Sequence, residues 1–142
     1  ELIGTIRTHS PEVRLDIKER INRVATSIAA SAGAVATVSY GFGVPVAVND
    51  AQLVEQMLPT LTHIAGLNAV QRQPPVMGYE DFAYFEQQVP GMFVSLGARP
   101  TNISRSNAAP NHSPHFIIDE SALILGVRTL AGLAMAFLVR RQ

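Results

Sequence analysis

The chain contains no cysteine among its 142 residues. This absence excludes disulfide bonds and catalysis by a thiol, and it is typical of proteins that work in a reducing compartment. We therefore expect a cytoplasmic protein. The first residues also lack the basic segment and the apolar run of a signal peptide, so no signal peptide is expected in this sequence.

The chain has no excess of charge of either sign. Its 11 basic side chains balance its 11 acidic side chains, so no global field would attract a polyanion or an anionic membrane surface. We expect neither nucleic-acid binding nor membrane association. With 47% hydrophobic residues, the chain has the composition and length of one globular domain, which would bury about two thirds of its unfolded surface if it packed as one body.

Long uninterrupted hydrophobic runs are also scarce. The most apolar segment, residues 122–139, is barely long enough to span a bilayer, and it is interrupted by Arg128, Gly126 and Gly132. A membrane span needs about 20 consecutive apolar residues. We therefore predict that this segment is a buried amphipathic helix of a folded domain.

Local signals predict three long helices. Ser10 and Pro11 are a helix cap followed by proline at the first helical position, which predicts a helix over residues 11–32. Asp50 predicts the start of a second helix, in which Pro59 should cause a kink or a division into two shorter helices. Asp119 predicts the start of the C-terminal helix.

The segments between these helices contain β-branched and aromatic residues bounded by glycine and proline, and they predict strands. The predicted strands are residues 2–8, 34–40, 76–78 and 92–96, and a short helix is predicted over residues 80–88. Helices alternating with strands predict an α/β fold. A long polar loop over residues 97–111 is of a length that usually accompanies function.

A histidine at the end of this loop is a candidate metal ligand. His112 lies in the segment H-S-P-H-F, close to the acidic pair Asp119 and Glu120. Zinc sites need three or four protein ligands, and none of the other histidines has a spacing that would place two ligands on one helix face. The sequence therefore contains part of a metal site, and His112 could instead be a loop histidine bonded to the backbone.

Five short motifs resemble a known family when they are taken together and in order. They are G-T-I-R-T (4–8), M-G-Y-E-D-F (77–82), V-P-G (89–91), H-S-P-H-F (112–116) and D-E-S-A-L (119–123). The chain resembles the metal-dependent amidohydrolases of the M20 peptidase group, which includes hippurate hydrolase, aminoacylase and the auxin-conjugate hydrolases. The likeness covers the C-terminal portion of such an enzyme.

The resemblance implies a division of the chain. Residues 1–45 would be the C-terminal part of an inserted α+β lid domain that commonly mediates dimer formation, and residues 46–142 would be the C-terminal part of an α/β catalytic domain. The Cys, His and Glu metal ligands and the general base of the family would lie in an N-terminal segment outside this sequence. No catalytic residue is therefore assigned within the chain.

The resemblance also assigns binding residues. His112 would be one ligand of a site for two divalent metals, which could be zinc, manganese, cobalt or nickel. Arg7 would bind the substrate carboxylate, although an exposed strand arginine explains it equally well. Gly78 and Tyr79 would contact substrate, and Tyr79 stands where the family more often has serine or alanine, so the pocket or the acyl preference would differ. His115 is not assigned as a ligand.

The activity implied for the intact protein is hydrolysis of the amide bond of N-acyl amino acids, by a homo-oligomer. We expect the chain alone to be inactive. A second hypothesis is a truncated binding or oligomerisation module without catalysis. A third is that the isolated chain folds differently and dimerises or aggregates, because a sheet without its other strands exposes unpaired edges.

Overall fold

Four helices make up the regular structure of the computed structural model, which describes residues 1–140. They are α1 (Pro11–Ser31), α2 (Ala51–Ala65), α3 (Phe82–Glu86) and α4 (Ser121–Arg140). No strand occurs in residues 1–140, so the predicted α/β fold is wrong for this chain. The four predicted strands fail for one reason. A strand exists only where a neighbouring segment accepts and donates its backbone hydrogen bonds, and none of these segments has such a neighbour here.

Helix α1 begins as its sequence predicts. The Ser10 hydroxyl accepts a hydrogen bond from the Val13 amide at 3.1 Å and donates one to the Glu12 carboxylate at 2.6 Å. Capping of this kind satisfies an amide that the first helical turn leaves unpaired. No residue of α1 is fully buried, so its apolar stripe is largely uncovered.

Helix α2 begins at a similar cap, because the Asp50 carboxylate accepts a hydrogen bond from the Leu53 amide at 2.7 Å. It continues through Pro59 as one helix, which excludes the division into two shorter helices. The other predicted outcome, a kink at Pro59, stays a prediction. A proline inside a helix removes one backbone hydrogen bond at a cost of about 3 kcal/mol. Burial of Met57 and Leu61 in α2 offsets part of this cost.

Helix α4 follows Asp119, whose carboxylate accepts a hydrogen bond from the Ser121 amide at 3.0 Å. Its partner in the structure is α2. The two helices approach closely at Gly132, where a Cβ atom would overlap the Cδ1 atom of Ile64. The predicted helix is therefore confirmed, but no residue of α4 is fully buried, and the expected burial is wrong.

Helix α4 is also long and apolar enough to cross a membrane, judged by length and composition alone. Its most apolar window has a mean hydropathy of 2.1. Among residues 1–140 no other helix meets this criterion. Core helices of other folded proteins have similar compositions, so this finding is weak evidence for a membrane location.

The chain divides into two compact units. Unit 1 contains Glu1–Asn49 and Pro74–Gly91, and unit 2 contains Asp50–Gln73 and the segment from Met92 onward. This division does not test the proposed assignment of residues 1–45 to a lid domain and residues 46–142 to a catalytic domain, which stays a prediction.

Hydrogen bonds from long side chains to backbone carbonyls hold unit 1 together. Arg14 donates to the carbonyl of Val44 at 2.9 Å, and the Tyr40 hydroxyl donates to the carbonyl of Lys18 at 2.7 Å. The apolar core is small by comparison. In residues 1–140, Ala83 of unit 1 and the two buried residues of α2 are the fully buried apolar side chains.

Candidate functional site

Arg7 is held against the segment that carries the M-G-Y-E-D-F motif. Its Nη1 atom donates a 2.8 Å hydrogen bond to the carbonyl of Met77, which is 70 residues away in sequence. Its guanidinium carbon lies 5.8 Å from the centre of the Tyr79 ring. Two of the predicted substrate-binding residues, Arg7 and Tyr79, are therefore neighbours within unit 1.

This geometry leaves Arg7 able to bind an anion. A guanidinium has five N–H donors in a planar fork, and the bond to Met77 occupies one of them. Arg7 and Tyr79 are both exposed, so a ligand can reach them. Stacking on an exposed tyrosine ring stabilises a cation by about 0.5–1 kcal/mol and restricts the directions that the fork can take.

Gly78 lies between these two contacts but is not sterically required there. A Cβ atom at Gly78 would meet no atom within 4 Å, and Gly78 is not among the residues with positive φ. The predicted reason for this glycine, close approach of a ligand to the backbone, stays a prediction. The contact partner that sequence reasoning missed is the carbonyl of Met77, because a backbone atom carries no residue-type signal.

The same motif continues into α3, where it has a structural role. Phe82 and Phe85 pack with ring centres 6.2 Å apart, and Glu86 accepts a hydrogen bond from the Val48 amide at 2.8 Å. Gly91, the last residue of V-P-G, lies so close to this helix that a Cβ atom there would be 2.6 Å from Cγ of Glu86. Glu86 and its close contact with Gly91 were also missed from the sequence.

His112 lies in an exposed turn of unit 2. Its φ angle is 70°, and it is the one residue other than glycine with positive φ among the described residues. Histidine is several-fold enriched in this left-handed region, yet the conformation still costs of order 1 kcal/mol or more. His112 is the third residue of this turn, which is closed by a 3.1 Å hydrogen bond from the Ser113 amide to the Pro110 carbonyl.

A hydrogen bond joins the two ends of the segment 98–119, which contains most of the long loop and His112. The Asp119 amide donates a 2.8 Å hydrogen bond to the carbonyl of Ala98. The hydroxyl and the amide of Ser121 both bond to the Asp119 carboxylate and lower its pKa below the ordinary value, the hydroxyl having the larger effect. The loop between these anchors therefore begins and ends at fixed points, and His112 is displayed between them.

A metal ion would fit His112 as one ligand among several. An exposed imidazole is a suitable donor for divalent zinc, manganese, cobalt or nickel. Within residues 1–140, however, no group of three or more His, Asp or Glu side chains is arranged to hold an ion. Among the described residues, His112 is therefore not part of such a group.

Comparison with known proteins decides the family. The sequence profile of Peptidase family M20/M25/M40 matches residues 5–136. The chain belongs to this family. The predicted M20 resemblance is therefore confirmed, and the matched range includes Arg7, Gly78, Tyr79 and His112, whose roles stay predictions.

Several M20 relatives align with almost the whole chain. Thermostable carboxypeptidase 2 of Saccharolobus solfataricus is 36% identical over 138 residues, which is 96% of this chain and 34% of the relative. N-acetylcysteine deacetylase of Bacillus subtilis is 32% identical over 138 residues, 97% of this chain and 34% of the relative. IAA-amino acid hydrolase ILR1-like 4 of Arabidopsis thaliana is 32% identical over 141 residues, 96% of this chain and 31% of the relative. The chain spans about a third of the length of these relatives.

Proposed function

We propose that this M20 chain is the C-terminal portion of a metal-dependent amidohydrolase that cleaves the amide bond of N-acyl amino acids such as N-benzoylglycine, and that the chain alone is inactive. Membership of a hydrolase family supports this proposal. So does the relative named for N-acetylcysteine, which is itself an acylated amino acid.

The observation that carries the proposal is the position of Arg7. An N-acyl amino acid keeps a free carboxylate, and arginine binds carboxylates through two parallel hydrogen bonds. The Met77 carbonyl and the Tyr79 ring hold the guanidinium in place while most of its N–H donors remain available for a ligand. A substrate anchored there by its carboxylate would be oriented before reaction.

Several ligands would bind the metal ions in the intact protein, and His112 of unit 2 would be one of them. Two divalent ions would polarise the amide carbonyl and lower the pKa of the attacking water. His112 would hold one ion through a neutral imidazole nitrogen. As part of the same proposal we place the protein in the cytoplasm, as a homo-oligomer that binds neither nucleic acid nor membrane.

A second candidate function is a non-catalytic binding module. It is favoured by the contacts of Arg7 with the Met77 carbonyl and the Tyr79 ring, which all lie within unit 1. Such a module would bind N-acyl amino acids without hydrolysing them, whether or not further M20 sequence is present.

The test uses the isolated chain with N-benzoylglycine and Mn²⁺ or Zn²⁺. We expect no release of glycine, but saturable binding in a calorimetric titration. Because hydrogen bonds to charged groups contribute about 1.5–3 kcal/mol, Arg7→Ala should weaken binding by at least tenfold, whereas Arg23→Ala, an exposed arginine of α1, should not.

Each proposal has a result that overturns it. Hydrolysis by the isolated chain that is abolished by EDTA and by His112→Ala would show that the chain needs no further segment. A calorimetric titration that shows no binding of N-benzoylglycine would contradict the carboxylate-binding role of Arg7. It would therefore also contradict the binding module. Binding without hydrolysis, even after the unmatched part of an M20 relative is supplied, would leave the module as the function.

A further inference from the structure

Residues 43–48, which we call the connecting segment, are held by side chains of two helices of unit 1. The first helix is α1, where Arg14 donates a 2.9 Å hydrogen bond to the carbonyl of Val44. Pro45 follows directly. Because proline fixes its own φ angle and restricts the residue before it, the first half of the connecting segment is both stiff and attached to α1.

The second helix is α3, which holds the connecting segment at two points. The Tyr84 hydroxyl donates a hydrogen bond to the carbonyl of Gly43 at 3.3 Å, and the Glu86 carboxylate accepts one from the Val48 amide at 2.8 Å. The stem of Glu86 also packs against Gly91, which limits how far the carboxylate can move. The connecting segment therefore joins α1 to α3.

Each of these two helices begins close to one half of the proposed carboxylate site. Helix α1 begins four residues after Arg7, and α3 begins three residues after Tyr79. The hydrogen bond from Arg7 to the Met77 carbonyl joins the same two parts of the chain a second time. The position of Arg7 relative to the Tyr79 ring therefore depends on both junctions.

We propose that Tyr84 and Glu86 are positioning residues for the carboxylate site. By holding the connecting segment on α3, they keep Arg7 against the Met77 carbonyl and the Tyr79 ring. The proposal rests on the function proposed above, because it takes the carboxylate of an N-acyl amino acid to be the ligand of Arg7. The two residues act by raising the fraction of molecules in which the guanidinium is already oriented, and the apparent affinity is proportional to that fraction.

The test uses the full chain, with NMR of the free protein and calorimetric titration with N-benzoylglycine. The double variant Tyr84→Phe, Glu86→Met loses both hydrogen bonds to the connecting segment but keeps side chains of similar length. We expect the separate guanidinium signals of Arg7, assigned by their absence in Arg7→Lys, to merge as the guanidinium rotates freely. The dissociation constant should rise about three- to tenfold, as for the loss of one or two hydrogen bonds.

Three further variants distinguish positioning from packing. Glu86→Gln keeps an acceptor for the Val48 amide and should behave as the parent chain does. Gln87→Met is the matched control, because it introduces the same side chain at the next position, which is exposed, and it should have no effect. Tyr84→Phe alone removes one hydroxyl from a ring that is 48% exposed. It should keep the helical circular dichroism and weaken binding about twofold.

The outcomes separate positioning from the proposed function. Unchanged Arg7 signals in Tyr84→Phe and in the double variant would overturn positioning, as would equal losses of affinity in Glu86→Gln and the double variant. If the parent chain binds N-benzoylglycine and the variants bind it equally well, positioning is overturned and the proposed function stands. If the parent chain does not bind, the proposed function is contradicted, whereas Arg7 signals that merge in the double variant would still support positioning of Arg7.

Discussion

Arg7 is held by contacts that its own sequence motif does not reveal. G-T-I-R-T identifies the arginine, but its partners are a carbonyl 70 residues away and a tyrosine ring. Both partners restrict the guanidinium before any ligand arrives. Restricting a binding group in advance lowers the entropy lost on binding, which favours affinity.

The first prediction concerns Tyr79. Replacing Tyr79 with serine removes the ring that lies beside the Arg7 guanidinium. Since a cation–π contact at an exposed site contributes about 0.5–1 kcal/mol, Tyr79→Ser should weaken N-benzoylglycine binding by about two- to fivefold in a calorimetric titration. Tyr79→Phe keeps a ring and should bind almost as the parent chain does. Equal loss in both variants would point to the hydroxyl instead.

A second residue-scale prediction concerns Gly91. A Cβ atom there would lie 2.6 Å from Cγ of Glu86 and 3.3 Å from the Phe82 ring, so the neighbouring side chains would have to move. Overpacking of this kind costs about 1–3 kcal/mol, and Gly91→Ala should lower the free energy of unfolding measured in urea by that amount. Gly4→Ala, where a Cβ atom meets nothing within 4 Å, is the control. Equal stability of the two variants would contradict the packing role.

At the scale of elements, the helices follow from local chemistry. The start of α4 illustrates this point, because Ser121 lowers the pKa of Asp119 by hydrogen bonding to its ionised form. A lowered pKa in the folded state means that this contribution to stability is present above the unfolded pKa. It is lost as the pH falls through the folded pKa.

We therefore predict that the first turn of α4 loosens in acid. Carbon chemical shifts of residues 121–123 should move toward coil values as Asp119 becomes protonated. In Asp119→Asn this pH dependence should disappear, and in Ser121→Ala it should occur at higher pH. Shifts that titrate unchanged in Asp119→Asn would assign the effect to another group.

The same comparison shows why the helices could be predicted and the strands could not. Ser10 and Asp50 bond to amides three residues ahead, so the cap and its partner appear in one short stretch of sequence. A strand over residues 34–40 depends on a partner that any distant segment could provide, and its residue types do not identify one. The metal-ligand role of His112 depends in the same way on groups beyond its own turn.

At the scale of the whole molecule, the amount of buried surface departs from the sequence-based expectation. A compact protein of this mass buries about two thirds of the surface that its unfolded chain would expose. The accessible surface of this chain is 11681 Å². Relative to the same unfolded reference, this chain therefore buries roughly 47% of its surface. Hydrophobic composition predicted a well-packed core. It could not predict that most apolar side chains of α1 and α4 would remain exposed.

This difference predicts a shallow unfolding transition for the isolated chain. The slope of unfolding free energy against urea is proportional to the surface exposed on unfolding, so it should be roughly 30% smaller than for a compact protein of 142 residues. Fluorescence and circular dichroism in urea at several protein concentrations would measure this slope. A slope equal to that of a compact protein of 142 residues at every protein concentration would contradict this prediction. It would mean that the isolated chain buries its apolar side chains within one molecule in solution. A slope that rises with protein concentration would mean that copies of the chain cover one another.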